Sequence, residues 1–171
     1  HVDFSGPQSV RTRLRQRCEL QTDTLSSCMA VDFAANGTTS ADVMRRSESG
    51  ARVVSINVWR NIDARPIRRS PLALCHPRSV QAAHTVPFTI RCPDVELTET
   101  HLLAEGAHQH EWWWYPKMAR DECLLFVSGD TAELWPSVPH TAFESTDAAP
   151  EDPPRRSIEA RVCVIFRECA A

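Results

Sequence analysis

The sequence has no run of about 18 apolar residues, no basic excess, no CxxC pair and no internal repeat, and each absence removes a class of protein. Without the long apolar run, nothing reads as a membrane-spanning helix. Lys and Arg number 19 against 22 Asp and Glu, a net charge of −3, which leaves no electrostatic footprint for nucleic acid or an anionic membrane surface. The one dense basic stretch, Arg11, Arg13, Arg15 and Arg17, reads as a solvated helix face. Seven cysteines (Cys18, Cys28, Cys75, Cys92, Cys123, Cys163 and Cys169) are odd in number and lack close pairs. That pattern speaks against a disulfide framework or a zinc site, and for reduced thiols in a cytoplasmic protein. No signal peptide is visible, and the first residue is His1 rather than Met, so the expectation is a processed or truncated chain.

What remains is ordinary globular material: 171 residues, 42% hydrophobic and 24% charged, enough for one domain over 1–171. Val10, Leu14 and Cys18 recur every four residues, which predicts a short amphipathic helix over 8–18. Residues 34–51 are small, polar and aperiodic and are expected to form a mobile loop. Strand-like segments follow at 53–59, 71–75, 95–103, 111–115, 123–128, 138–143 and 157–166, separated by Pro- and Gly-containing turns. An acidic, proline-rich surface loop at 147–154 joins the last two. Seven short strands favour a mainly β antiparallel barrel or sandwich behind a short N-terminal helix.

His1 and Asp3 are two residues apart, so in an extended segment both point to one side and can grip one cation. His140, in a later strand, is the third candidate ligand. Two histidines and a carboxylate on one face of Fe(II) leave three positions open, the opening an oxygenase needs for an oxidisable co-substrate and O₂. Alone, H-x-D is a common tripeptide. Downstream, Arg155, Ser157, Glu159 and Arg161 share strand parity, with Ile158, Val162, Val164 and Phe166 on the other side. The far carboxylate of 2-oxoglutarate requires a charge-assisted, preferably bidentate partner. Arg155 with Ser157 offers one such site and Arg161 another; the competing structural role is an ion pair with Glu159.

A resemblance extends this reading. The blocks His1-Val2-Asp3, Asn57-Val58-Trp59-Arg60, Pro71-Leu72-Ala73-Leu74-Cys75 and Arg78-Ser79-Val80 come first. Then come His110-x-Trp112 with Trp113-Trp114-Tyr115-Pro116, Met118 with Asp121-Glu122, and Leu125-Phe126 ahead of Asp130. Pro139-His140-Thr141-Ala142-Phe143 and Pro154-Arg155-x-Ser157-Ile158-Glu159-x-Arg161 close the series. In this order they resemble the family containing the small component of the bacterial cephamycin 7α-methoxylase and fungal hydroxylase/desaturase enzymes, including the gibberellin desaturase. The resemblance implies a double-stranded β-helix of jelly-roll or cupin type, with Fe(II) on His1, Asp3 and His140. It implies 2-oxoglutarate on Arg155 or Arg161, and hydroxylation or desaturation of a small molecule in secondary metabolism. His76 and Arg156 stand where the family tends to carry acidic or polar residues, which puts the substrate class in doubt. Relatives carry a region ahead of HxD, so a truncation lacking outer strands is expected.

Asn57 is a second candidate contact for the co-substrate, and His110, Trp112 and Trp114 are candidate substrate-pocket residues; core packing is the default role for the aromatics. His110 has the simpler alternative of donating to a backbone carbonyl, and His76, His84, His101 and His108 have no partner at ligand spacing. Two other functions fit parts of the sequence. One is a copper monooxygenase built on an N-terminal histidine, which metal analysis separates from an iron enzyme. The other is a non-catalytic substrate-binding partner subunit of the same fold, which would consume no 2-oxoglutarate and would work beside another protein.

Overall fold

A computed structural model describes residues 1–4, 6–20, 39–91, 96–104, 108–134 and 136–166, and the statements below concern these residues. Helix α1 (Pro7–Leu20) begins on a proline, whose missing N–H costs nothing in a first turn. Val10 and Leu14 are its buried apolar positions among the described side chains, as their spacing predicts. The basic run on this helix is a solvated face only in part: Arg15 is exposed, but Arg13 is buried over the Phe4 ring, and Arg11 donates to the Ser47 and Ala51 carbonyls. Its long apolar stems cover the core while the charged heads find acceptors.

Residues 40–48, expected as part of a mobile loop, form helix α2 (Ser40–Glu48). A capping box starts it: Thr39 Oγ1 accepts from the Asp42 backbone N–H, and the Asp42 carboxylate accepts from the Thr39 N–H. Val43 is buried and Met44 packs beside it, so the polar composition hid a two-residue apolar contact. The 34–38 part of that expectation lies outside the described residues.

Eight strands follow. Strand β1 (Val53–Asn61) is central, antiparallel to both β6 (Cys123–Asp130) and β8 (Ser157–Ile165). A second sheet has the order β5 (Trp112–Trp114), β2 (Leu72–Cys75), β7 (His140–Ala142). Strands β3 (Thr85–Arg91) and β4 (Glu96–Leu103) form a hairpin. β3 escaped the sequence reading because Pro87 interrupts it, and proline argues against an interior strand. The result is a mainly β fold of antiparallel sheets with short helices. Among the described residues, no helix is long and apolar enough to cross a membrane.

One core lies between the two sheets: Trp59 from β1 and Phe126 from β6 meet Leu72 from β2, with Ile67 and Met118. A second, at the end of β1, joins Val53 to Phe4, Val10, Leu14 and Val43. The inward face of β8 carries Ser157, Glu159, Arg161 and Cys163, while Ile158, Val162 and Val164 are exposed. That inverts the ordinary alternation of a half-buried antiparallel strand, in which the polar side faces water. Charge inside β8 therefore has a task other than solvation.

Candidate metal centre

Backbone pairing brings the two ends of the constellation together. The His1 backbone nitrogen donates to the His140 carbonyl (3.1 Å), and the His140 N–H donates back to the His1 carbonyl (3.0 Å). On the other side, Val2 and His101 exchange the same two bonds, at 2.8 and 3.3 Å. Residues 1–3 are thus held between β7 and β4, which faces Val2 away from the side chains of His1 and Asp3. The His1 and His140 rings end with centroids 4.3 Å apart.

Asp3 is buried beside both rings, with Oδ1 3.3 Å from His1 Nε2 and Oδ2 3.9 Å from His140 Nε2. One ligand atom from each of the three residues lies within 4.8 Å of the others. Cis ligands with bonds of ~2.1 Å sit about 3 Å apart, so small side-chain rotations close the set around one ion. The donor chemistry fits Fe(II): two imidazoles and one carboxylate. The imidazole tautomer also fits. His140 Nδ1 lies 3.0 Å from the Val138 carbonyl, which can only accept, so Nδ1 carries the proton and Nε2 presents its lone pair. Phe126 packs on the same ring at 4.8 Å.

Burial alone would raise the Asp3 carboxyl. The hydrogen bond with His1, the charges of Arg161 and His140, and the Asn57 amide outweigh it and hold the group well below the usual carboxylate range. Burial is also the leading influence on His140 and pushes it below the ordinary imidazole value, with Asp3 pulling the other way. Both shifts favour the forms that bind a cation: ionised carboxylate and neutral imidazole.

The remaining candidates divide by strand register. Arg161, opposite Asn57 on β1, lies 3.8 Å from Asp3 Oδ1 and 2.9 Å from Glu159. Its charge is thus committed to carboxylates of the protein. Arg155, six residues earlier, stacks over Trp59 at 5.5 Å and donates to the Ser70 carbonyl at 2.8 Å. No carboxylate among the described residues pairs with it, and burial lowers its pKa. Ser157 faces inward opposite Asn61. Asn57 is fully buried, and its Nδ2 donates to Asp3 Oδ2 at 2.8 Å.

Trp113 is opposite Leu74, and Leu74 is opposite His140, so these three share one face of the second sheet. Trp112 and Trp114, the two indoles singled out from the sequence, are on the reverse face, where Trp114 meets Phe143 edge-on at 5.4 Å. A three-residue aromatic run carries no sign of which parity points inward; only the partner strand supplies it. Trp113 remains 66% exposed. His110 contacts His84 Nδ1 through Nε2 at 3.1 Å, instead of a backbone carbonyl, and the pair stands apart from the three-residue cluster. Phe126 and Trp113 are the site neighbours that sequence reasoning missed.

Comparison with known proteins agrees with this geometry. Residues 26–165 match the model of a family described as an oxidoreductase/YMDC permease-like domain. The hydroxylase/desaturase CTB9 of Cercospora beticola is 35% identical over 136 residues, 72% of this chain and 40% of that protein. The alpha-ketoglutarate-dependent dioxygenase tstK of Talaromyces stipitatus is 31% identical over 144 residues, 80% of this chain and 51% of the relative. The chain thus spans about half the length of the curated relatives it matches, or less. Among solved structures, the iron and alpha-ketoglutarate-dependent endoperoxidase NvfI superposes with a TM-score of 0.61 at 24% identity, over 73% of this chain and 45% of that one. This likeness is one of fold: a mainly β arrangement of several antiparallel sheets with short helices that resembles a double-stranded β-helix.

Proposed function

The chain belongs to the oxidoreductase/YMDC permease-like family, and from that premise we propose that it carries the metal and co-substrate core of a non-haem Fe(II)/2-oxoglutarate-dependent oxygenase. Its reaction is the hydroxylation or desaturation of a small molecule in secondary metabolism. The observation that carries the proposal is the convergence of His1, Asp3 and His140 within 4.8 Å. It is reinforced by the His140 tautomer that the Val138 carbonyl selects.

Each residue has a definite task in this reading. His1, Asp3 and His140 hold the ion from one side and leave the other side open. When bound, iron with 2-oxoglutarate and O₂ supplies the oxidising power to break a C–H bond. Arg155 takes the far carboxylate of 2-oxoglutarate: its guanidinium is partly buried, stacked on Trp59 and unmatched by any described carboxylate. Ser157 adds a hydroxyl on the same inward face. Arg161 is held instead by the carboxylates of Asp3 and Glu159. Phe126 fixes the plane of His140 and keeps water from that edge. Trp113, exposed on the face that bears His140, offers the substrate an apolar wall.

The test is Asp3→Ala. The expressed protein supplied with Fe(II), 2-oxoglutarate and O₂ should release CO₂ from the co-substrate, and the substitution should abolish that release. Unchanged turnover in the variant would exclude the triad.

A further inference from the structure

We infer that Asn57 is a positioning residue of the metal centre, fixing the Asp3 carboxylate in the orientation that serves the ion. This rests on the oxygenase reading only in taking Asp3 as a ligand. Asn57 occupies the middle of β1, between Phe126 on β6 and Arg161 on β8, and none of its surface reaches solvent. Its Nδ2 lies 2.8 Å from Asp3 Oδ2. A carboxylate only accepts, so the amide nitrogen must face Asp3 and the orientation of the side chain is fixed. His1 and Arg161 flank the other oxygen at 3.3 and 3.8 Å. The two oxygens of Asp3 therefore have different neighbours, and rotation about its last torsion would break the Asn57 bond.

The far end of Asn57 argues that this contact is the reason the residue is there. Its Oδ1 is buried with no hydrogen-bond partner among the described residues. Buried polar atoms are rarely left so. A residue present for packing alone would be apolar, as Val53 and Trp59 are on the same inward side of β1. Hydrogen-bond partners of metal ligands typically change metal affinity 10- to 100-fold when removed.

The experiment titrates the full chain with Co(II) alone, following the visible ligand-field absorption, in wild type, Asn57→Leu and Asn57→Ser. Wild type should bind one Co(II), and both variants should bind it roughly 10- to 100-fold more weakly, with thermal unfolding of the metal-free forms confirming that they are folded. A packing role would lower the melting temperature and leave the Co(II) affinity of the folded variant in place. Either folded variant binding Co(II) within about twofold of wild type overturns the inference and leaves the oxygenase reading standing. Wild type binding no Co(II) at His1, Asp3 and His140 overturns both.

Discussion

Replacing Gly129 by alanine tests how the metal-ligand segment is supported. Gly129 lies on β6 opposite Ser55, and a Cβ built there would sit 2.5 Å from Val10 Cγ2 and 2.9 Å from Phe4 Cδ2. Carbon atoms pack best at ~3.5–4.0 Å, so one side must retreat by about 1 Å. Neither neighbour has anywhere to go: Val10 is held in α1 and Phe4 in the same cluster, and both are buried. Overpacking of this kind costs about 1–3 kcal/mol, and two immobile contacts place Gly129→Ala in the upper half of that range. At roughly 2–4 °C per kcal/mol for a chain of this size, thermal unfolding should fall by about 4–12 °C. Phe4 is also adjacent to Asp3, so Co(II) affinity should decline together with stability. Urea unfolding measures the first effect. Adding Val10→Ala removes the nearest atom, and the double variant should lose less than the sum of the single variants by on the order of 1 kcal/mol. A single variant within about 0.5 kcal/mol of wild type, or strict additivity, would refute the reasoning.

Two further predictions concern charge. Arg155→Leu should weaken 2-oxoglutarate binding to the Co(II)-loaded protein by roughly 10- to 100-fold, the worth of a charge-assisted hydrogen bond, while Co(II) affinity is retained. Arg161→Leu should leave 2-oxoglutarate binding in place and strengthen Co(II) binding, because it removes a cation 3.8 Å from the Asp3 carboxylate that competes with the ion, and calorimetric titration of each ligand separates the two. Acidification should destabilise the metal-free protein in a defined direction. His140 has a folded pKa below its ordinary 6.5, so just below that value the unfolded chain binds more protons than the folded one. The stability this confers is complete above about 6.5 and is lost as pH falls. Asp3, an acid whose folded pKa is lowered, adds a second loss below its ordinary 3.8. Unfolding by urea between pH 7.5 and 5 should show a slope that His140→Asn reduces; an identical slope in the variant would contradict the assignment.

Local chemistry in the sequence was enough to determine much of this protein. The four-residue spacing of Val10 and Leu14 set α1, and β-branched runs bounded by proline set seven of the eight strands, because period and turn chemistry are nearest-neighbour properties. The H-x-D spacing, the later histidine and the two arginines flanking Ser157 and Glu159 could also be read directly. Other features required the folded chain. Residues 40–48 are helical because a capping box and two apolar contacts outweigh a polar composition. Trp113, and not Trp112 or Trp114, faces the side of His140 because the register with Leu74 says so, and a shift of one residue would exchange them. Arg155 and Arg161 are alike in the sequence; only packing gives one to Asp3 and Glu159 and leaves the other over Trp59. The meeting of His1 with His140 is likewise a product of backbone pairing across 139 residues, and contacts at that separation leave no trace in local pattern.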